Sequence, residues 1–194
     1  FGVGQGVRRE EDPRLLRGRG LFTNDVNLPD QTYAFVLRSP YAHAKISRID
    51  TTAAAAAAGV LGVFTGEDVA ADNLGVPGMP AKWKRPDGEP MKYRPQPPLA
   101  LDRVRYVGDP VALVIAETLN TARDAAELIE IDYQGLPSIT NTEHTVDPDA
   151  PIVWDDSADN VSGQFQAGDA EAVEAAFAGA AKIVKRRFII SRVF

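Results

Sequence analysis

The sequence predicts a mixed α/β fold with small sheets flanked by short helices, and an extended arm at the amino terminus. The first observation is a continuously apolar run at residues 111–116, which is typical of a strand covered on both faces. The second is a change of period after that run, from helical spacing to a strand-like alternation that reaches Tyr133. The third is an earlier strand, helix and strand succession over residues 45–64. Two such units in one chain predict an α/β layered core.

The amino-terminal arm is predicted at residues 1–30, which combine glycine and mixed charge without a clear period. Residues 2–6 superficially resemble a phosphate-binding loop. No strand precedes them and no helix clearly follows, so we interpret them as a flexible end. Acidic residues alternate with the arginines Arg8, Arg9, Arg14, Arg17 and Arg19. Either these arginines contact an acidic surface of another subunit or domain, or the charges balance one another in water.

The first predicted unit consists of strands at residues 33–37, 45–49 and 60–64 and a helix at 53–58. Pro40 separates the first two strands, because proline cannot donate to a sheet ladder. Thr51 is placed to cap the alanine-rich helix, and Gly59 is placed to end it in a left-handed conformation.

The second predicted unit consists of a strand at residues 111–116, a helix, and a strand at 129–133. Asn120 is placed to cap the helix. The inner face of this helix is predicted from the spacing of Ala122, Ala125, Ala126 and Ile129. If the two strands are parallel and share a sheet, the connection between them should be right-handed.

Between the units, residues 73–98 predict a long excursion, because they contain seven prolines. Loops of this length inside a compact domain are often functional or mobile, so we expect contact with a neighbour here. Trp83 either anchors this loop in the core or remains exposed as an aromatic contact.

The carboxy-terminal part begins with a polar connector at residues 141–160. Asp169 is placed to cap a helix, and residues 182–190 are predicted to close the chain as a strand. One face of that helix is expected to hold Val173, Ala176, Phe177 and Ala180. The predicted organisation is therefore an arm at 1–30, a core at 31–140 that contains the long loop 73–98, and a final part at 141–194.

Composition excludes several classes of protein. The net charge of −6 argues against nucleic acid as a partner. The absence of cysteine excludes disulfides, thiolate metal sites, iron–sulfur clusters and a cysteine nucleophile within these 194 residues. No membrane span or signal peptide is predicted, and the cytoplasm is the expected location. Since the sequence starts at Phe1 and stops after a strand-like run, we expect it to be part of a longer protein.

His43 is the more interesting of the two histidines, since Arg38 and Ser39 could help to set a proton-transfer site near it. The favoured interpretation is a hydrogen-bonded loop histidine that fixes the connection between strands. An independent hydrolase that uses His43 would need a nucleophile and an orienting acid. Ser39 is too close in sequence to judge as that nucleophile, so this function ranks last.

No metal site is predicted. His144 lies in the polar connector and is interpreted as a solvated residue, because two isolated histidines lack ligand spacing. Asp147 with Asp149, and Asp155 with Asp156, lack the spacing of a calcium loop and are interpreted as solvated charge. The sequence therefore assigns no catalytic, cofactor-binding or metal-ligating residue in this chain.

A resemblance to one family extends over nearly the whole chain. It is carried, in order, by RREED at 8–12, LL at 15–16, GRG at 18–20, FTND at 22–25, RSP at 38–40, AHA at 42–44, ID at 49–50, VLGVFTGED at 60–68, LA at 99–100, VRYVG at 104–108, PVA at 110–112, AAEL at 125–128, DY at 132–133 and LP at 136–137. These segments resemble the amino-terminal a/b hammerhead domain in the large subunit of molybdenum hydroxylases. That family includes xanthine dehydrogenase, aldehyde oxidase and aerobic carbon monoxide dehydrogenase. Ala58 departs from the proline that many relatives carry, which affects one turn.

The resemblance implies an accessory domain that precedes a molybdenum-cofactor-binding region. In such enzymes molybdenum on a pterin dinucleotide, expected to be molybdopterin cytosine dinucleotide, activates a water-derived oxygen for insertion into a C–H bond or carbon monoxide. Iron–sulfur and FAD groups in partner subunits carry the electrons away. The family's cofactor ligands and catalytic glutamate lie downstream, so none is carried to a position here. A heteromeric assembly with two-fold symmetry is the implied quaternary structure.

Two functions remain in view. The first is the structural, amino-terminal part of a molybdopterin-dependent oxidoreductase, supporting subunit assembly while the chemistry takes place elsewhere. The alternative is a free-standing, non-catalytic ligand-binding or assembly module with the same fold. A reading frame that continues into a glycine-rich cofactor-binding region would favour the enzyme. The substrate, whether carbon monoxide, an aldehyde, a purine or a nitrogen heterocycle, and the electron acceptor are not encoded in these residues.

Overall fold

A computed structural model describes residues 2–74, 83–94 and 96–188. The chain divides into two units. Of the described residues, the larger unit contains 2–74 and 96–158, and the smaller unit contains 83–94 and 159–188. Among the helices in these ranges, none has the length and apolar character needed to cross a membrane.

The larger unit contains six strands and four α-helices in its described residues. The strands are β1 (Tyr33–Arg38), β2 (Ala44–Asp50), β3 (Val60–Thr65), β4 (Arg103–Val104), β5 (Pro110–Ala116) and β6 (Glu130–Gly135). The helices are α1 (Asp12–Leu15), α2 (Thr52–Ala55), α3 (Gly66–Ala71) and α4 (Leu119–Glu127). The predicted strands are confirmed at β1, β2, β3, β5 and β6, whereas α1, α3 and β4 were not predicted.

The six strands form two small antiparallel sheets. The first has the order β1-β5-β3 and the second has the order β4-β2-β6. The two strands that flank each predicted helix lie in different sheets. This holds for β2 and β3 around α2, and for β5 and β6 around α4. The condition for a right-handed parallel connection is not met. Mixed α/β architecture with small sheets and short helices is confirmed.

Both sheets bury small apolar side chains. Helix α4 packs its predicted face on β1 and β5 of the first sheet, and alanine at that face allows close approach. This first cluster contains Ala54, Ala112, Val114, Ala116, Ala122, Ala125, Ala126 and Ile129. A second cluster contains Ala44, Ala100, Val104 and Val111. Ile49 and Ile131 contact both clusters, so the two sheets share one continuous apolar interior.

Two helix caps differ from the prediction. Thr51 makes no side-chain cap; instead the Asp50 carboxylate accepts from the Thr52 amide at 3.0 Å. Helix α4 is capped by Thr118, whose hydroxyl accepts from the Thr121 amide at 3.0 Å, and not by Asn120. Gly59 does adopt the predicted left-handed conformation, with φ of 79°.

Residues 2–30 form an extended, exposed arm. Only Asp12, Leu15 and Gly20 are partly buried in this range, and large apolar side chains such as Leu16 and Phe22 are exposed. The arm is therefore surface polypeptide with an unusually apolar content.

The smaller unit contains one helix, α5 (Ala170–Ala178), in its described residues. Asp169 caps it as predicted, because its carboxylate accepts from the Ala172 amide at 3.0 Å. The predicted strand at 182–190 is wrong over residues 182–188, which form no strand, and its last two residues lie outside the described part of the chain. Elsewhere in this unit, Lys84 forms isolated antiparallel bridges with Pro90 and with Gln164.

Candidate functional site

Three of the segments that carry the family resemblance meet at one place in the larger unit. They are residues 38–43 at the end of β1, residues 105–109 before β5, and residues 132–137 along and after β6. We call this meeting point the motif junction. Because the segments are far apart in sequence, their contacts are long-range and depend on both sheets being formed.

Ser39 holds the first two segments together. It is 2% exposed, and its backbone N–H donates to the Asp109 carbonyl at 2.9 Å. Its own carbonyl accepts from the Gly108 N–H at 2.8 Å, and its hydroxyl oxygen accepts from the Tyr41 N–H at 3.0 Å. All of these bonds shape the two loops, so the Ser39 hydroxyl serves a structural purpose.

His43 joins the first and third segments. It is 5% exposed, and its Nδ1 lies 2.8 Å from the Pro137 carbonyl oxygen. A carbonyl only accepts, so Nδ1 carries a proton and donates to Pro137. Nε2 is buried and has no partner among the described residues. Ser39 and His43 are not paired, and His43 has the geometry of the hydrogen-bonded loop histidine.

The turn at residues 106–108 is fixed from both sides. Gly108 has φ of 93°, a conformation that favours glycine, and its carbonyl accepts from Arg38 Nη1 at 2.8 Å. The Asp109 carboxylate accepts from the Arg105 N–H at 2.9 Å. Burial raises the pKa of Asp109 above its ordinary value, although the bond from the Arg105 amide opposes that shift.

Two arginines beside the motif junction hold a segment of the connector. Arg103 is 8% exposed and binds Asp155 through two bonds, Nη1 to Oδ1 at 2.9 Å and Nη2 to Oδ2 at 2.7 Å. This hydrogen bonding lowers the pKa of Asp155. Arg105 lies over the Trp154 ring, 3.9 Å from its centroid. The Asp155 side chain is mostly exposed, in line with its interpretation as solvated charge, and it is in addition the partner of a buried arginine, which was not predicted.

A cleft of about 320 Å³ lies between these features. It is lined by His43, Lys45, Arg103, Leu136, Pro137, Pro151, Ile152 and Asp155. Its acid is already paired with Arg103, and Nδ1 of its histidine is bonded to a carbonyl. The cleft therefore brings together no free acid and base for proton transfer. Within the described residues, no group of three or more His, Cys, Asp or Glu side chains is arranged to hold a metal ion.

The other candidate residues are not brought together. His144 Nδ1 lies 2.8 Å from Asp147 Oδ2, and both side chains are about half exposed. In the arm, Arg14 and Glu11 lie 3.9 Å apart with both side chains exposed. The glycines of residues 2–6 are exposed, and Gly2 bonds only within this segment, to the side chain and the N–H of Gln5.

In the smaller unit, Arg85 holds the proline-rich excursion to residues 159–161. Arg85 is 7% exposed and binds Asp159 at 2.7 Å, Asp87 at 3.3 Å and the carbonyl of Val161. Trp83 is 56% exposed, with its ring 6.4 Å from that of Phe165, so the exposed alternative for Trp83 is confirmed.

The sequence reasoning missed Arg85, Arg103 and Arg105. The available signal was the RVR pattern around Val104, which places both arginines on one side of a strand whose neighbour Val104 is buried. Nothing in the sequence marks the partners of Arg103 and Arg105, which are Asp155 and Trp154 and lie about 50 residues further along the chain.

Comparison with known proteins gives consistent matches. The sequence model described as "Aldehyde oxidase and xanthine dehydrogenase, a/b hammerhead domain" matches residues 17–137. The chain is 37% identical over 193 residues to the nicotine 6-hydroxylase large subunit of Paenarthrobacter nicotinovorans, covering 98% of this chain and 22% of that protein. It is 33% identical over 204 residues to the carbon monoxide dehydrogenase large chain of Afipia carboxidovorans, covering 99% of this chain and 24% of that protein.

A solved structure agrees with these matches. Quinoline 2-oxidoreductase from Pseudomonas putida 86 superposes with a TM-score of 0.74 at 38% identity, covering 94% of this chain and 22% of that one. The chain thus spans less than a quarter of the length of these relatives.

Proposed function

Since the chain belongs to the family of the aldehyde oxidase and xanthine dehydrogenase a/b hammerhead domain, we propose that it is the structural, amino-terminal part of the large subunit of a molybdopterin-dependent oxidoreductase. One observation carries the proposal. Three of the segments that carry the family resemblance meet at the motif junction, where Ser39 and His43 use their polar atoms to hold loops together. A domain built in this way supports assembly, while the chemistry takes place on other polypeptide.

The molybdenum cofactor does not fit the residues at the motif junction. Arg103 is paired with Asp155, and the Asp109 carboxylate accepts from the backbone N–H of Arg105. The unpaired Nε2 of His43 is covered by protein. The proposal therefore places molybdopterin, in its cytosine dinucleotide form, on the remainder of the large subunit. It places iron–sulfur clusters and FAD in partner subunits, in line with the lack of cysteine here.

The arm supports a role in assembly. It exposes Leu16 and Phe22 by 85% and 65%, in a segment that also carries five arginines. Exposed apolar groups beside arginines are typical of protein interfaces. We assign the arm to contact with the iron–sulfur or flavin subunit of a heteromeric complex with two-fold symmetry, in the cytoplasm.

The smaller unit supports continuation into a cofactor-binding domain. Every described residue from 164 to 188 is exposed, including large apolar side chains on α5. A helix of nine residues is marginal in water without packing, so these residues need a cover. The proposed domain order is the arm at 1–30, the hammerhead core at 31–140, and a part from 141 that leads to the molybdenum-binding region.

The test is metal and pterin analysis of the full-length protein purified with its natural partners. We expect molybdenum and pterin each to be present in the same molar amount as the large subunit. A control preparation from cells grown with tungstate should lose molybdenum while the complex stays assembled. Absence of both molybdenum and pterin, or a reading frame that stops soon after this domain, would support the free-standing module instead.

A further inference from the structure

The cleft of about 320 Å³ beside the motif junction has more positive than negative charge in its lining, and we call it the cationic cleft. Its charged lining residues are Lys45, Arg103 and Asp155. The Arg103 guanidinium binds the Asp155 carboxylate through two bonds, at 2.9 and 2.7 Å. Lys45 is exposed and makes no ion pair with the described residues. Two cations in the lining therefore share one carboxylate.

The pKa of Asp155 shows how closely the cations surround it. This pKa is lowered first by the hydrogen bond from Arg103, and further by the positive charges of Arg103, Lys45 and Arg105. Asp102 and Asp109 act on Arg105 in turn, and they favour its charged form. The positive charge left without a bonded carboxylate is therefore that of Lys45, which lies close enough to Asp155 to change its pKa. A second anion would be attracted to this place.

Buried nitrogens without a hydrogen-bond partner collect at the same place. Those found among the described residues are Nε2 of His43, Nε of Arg103 and Nε of Arg105. His43 and Arg103 line the cationic cleft. Unpaired buried polar groups are rare in folded proteins, and a bound ion is one of their ordinary causes. All three atoms are covered by protein, so a ligand in the cleft would not touch them. The two guanidinium N–H groups still add to the positive potential around it.

The rest of the cationic cleft is apolar and determines what body the anion can have. Leu136 and Pro137 follow β6, and Pro151 and Ile152 belong to the connector. Apolar walls with a few polar groups are typical of small-molecule sites, and this volume is at the small end of their range. An inorganic oxyanion would meet these walls with fully charged oxygens that need water. The walls therefore suit an anion with an apolar body.

We propose that the cationic cleft binds a small monocarboxylate with a compact apolar body. Its carboxylate lies at the Lys45 ammonium, and its body lies against the apolar wall. The pair of Arg103 with Asp155 stays intact beneath it. This inference goes beyond the proposed function and does not rest on it, because all lining residues belong to the larger unit and no cofactor takes part.

Fluorine NMR of the full-length protein, purified with its natural partners, tests the inference with 4-fluorobenzoate as the probe. Titration of the ¹⁹F signal gives the dissociation constant. 4-Fluorobenzamide has nearly the same shape without the charge, and inorganic phosphate has charge without an apolar body. We expect 4-fluorobenzoate to bind and 4-fluorobenzamide to bind roughly fivefold more weakly, as for an ion pair at an exposed lysine. Phosphate should not displace the probe.

Two pairs of variants locate the binding, and thermal unfolding checks that each variant is folded. Lys45→Gln should weaken the binding of 4-fluorobenzoate roughly fivefold and leave that of 4-fluorobenzamide unchanged. Lys84→Gln is the matched control, since Lys84 is exposed and belongs to the smaller unit. Ile152→Trp fills the cleft and should abolish the binding of both probes. Leu101→Trp should abolish neither, because Leu101 is 48% exposed and lies outside the cleft.

Five results would overturn the inference. They are no binding to the parent protein, equal affinity for the benzoate and the benzamide, equal benzoate affinity in the parent and Lys45→Gln, undiminished binding to Ile152→Trp, and displacement of the probe by phosphate. Binding elsewhere in the complex is recognised because it responds alike to Lys45→Gln and Lys84→Gln. Molybdenum content enters none of these measurements, so the inference and the proposed function can fail separately.

Discussion

Different interactions hold the larger and the smaller unit together. The larger unit buries a continuous apolar interior, whereas Arg85 is the single buried residue in the described part of the smaller unit. Helices α4 and α5 make the contrast concrete, because both have nine residues and a capped amino end. Three alanines of α4 are buried, while no residue of α5 is. Caps and propensity can start a helix, but burial determines whether it belongs to a stable core.

The largest expected effect is on the larger unit, from Gly66→Ala. A Cβ at Gly66 would lie 2.3 Å from the Ala100 carbonyl oxygen and 2.7 Å from the Leu101 Cα, and backbone cannot yield as a side chain can. We expect the free energy of unfolding to fall by about 3 kcal/mol in denaturant titration.

Gly135→Ala is the matched control, since nothing lies within 4 Å of its Cβ position. It should change stability by less than about 1 kcal/mol. If Gly66→Ala were as mild as the control, the close contact between the start of α3 and residues 100–101 would not be part of the larger unit's core.

The sequence was sufficient for the strands of the larger unit, because their apolar pattern is local. It was not sufficient for their assembly. Strands β2 and β6 pair although about 80 residues separate them, with Ile49 opposite Ile131. The hydrophobic periodicity of a sequence does not indicate which distant strands pair. The cap of α4 was predicted wrongly for a local reason. Thr118 and Asn120 both have side chains that can cap a helix, and only the extended backbone at Thr118 decides between them.

The candidate site was predicted in part. Resemblance pointed to the segments around His43, and the favoured structural interpretation of that residue agrees with its bond to Pro137, 94 residues away. The partner itself could not be predicted, because it is a backbone carbonyl without any side-chain signature. The same holds for Arg85, which binds a carbonyl and two acids that the pattern gave no reason to connect.

The second effect concerns a polar contact inside the larger unit. His43→Ala removes the buried bond to Pro137, and we expect about 2 kcal/mol of lost stability in denaturant titration. His43→Asn places an amide N–H near the position of Nδ1 and deletes the unpaired Nε2, so it should recover about 1 kcal/mol of that loss. Equal losses for Ala and Asn would show that ring volume matters and the bond does not.

The third effect uses the two helix caps. Thr118→Ala and Asp169→Ala each remove one bond from a side chain to a first-turn amide, a loss of about 1 kcal/mol for the helix. Because α4 is packed on a sheet, Thr118→Ala should lower the stability of the whole larger unit. Asp169→Ala should only speed amide hydrogen exchange within α5. A global loss from Asp169→Ala would mean that α5 is part of a core after all.

The smallest effect is a response to acid that separates the two units. Each contains a buried arginine bound to an exposed carboxylate, Arg103 with Asp155 and Arg85 with Asp159. Hydrogen bonding to the arginine lowers the pKa of both acids below the ordinary value of 3.8. The pairs therefore stabilise the fold above that pH, and their contribution is lost as the pH falls through the lowered pKa values.

In the larger unit the apolar interior remains after its pair is protonated, so exchange around Asp155 should rise little on acidification. In the smaller unit Arg85 supplies the main contact. The exchange of residues 83–94 and 159–163, corrected for intrinsic rates, should therefore rise roughly threefold as the pH falls through the lowered pKa of Asp159, below 3.8. Asp159→Asn should show the faster exchange already at neutral pH and a smaller response to acid, which comes from the remaining pair of Arg85 with Asp87. A pH response that is equal in both units would refute the view that only the larger one has a core able to stand without its ionic contacts.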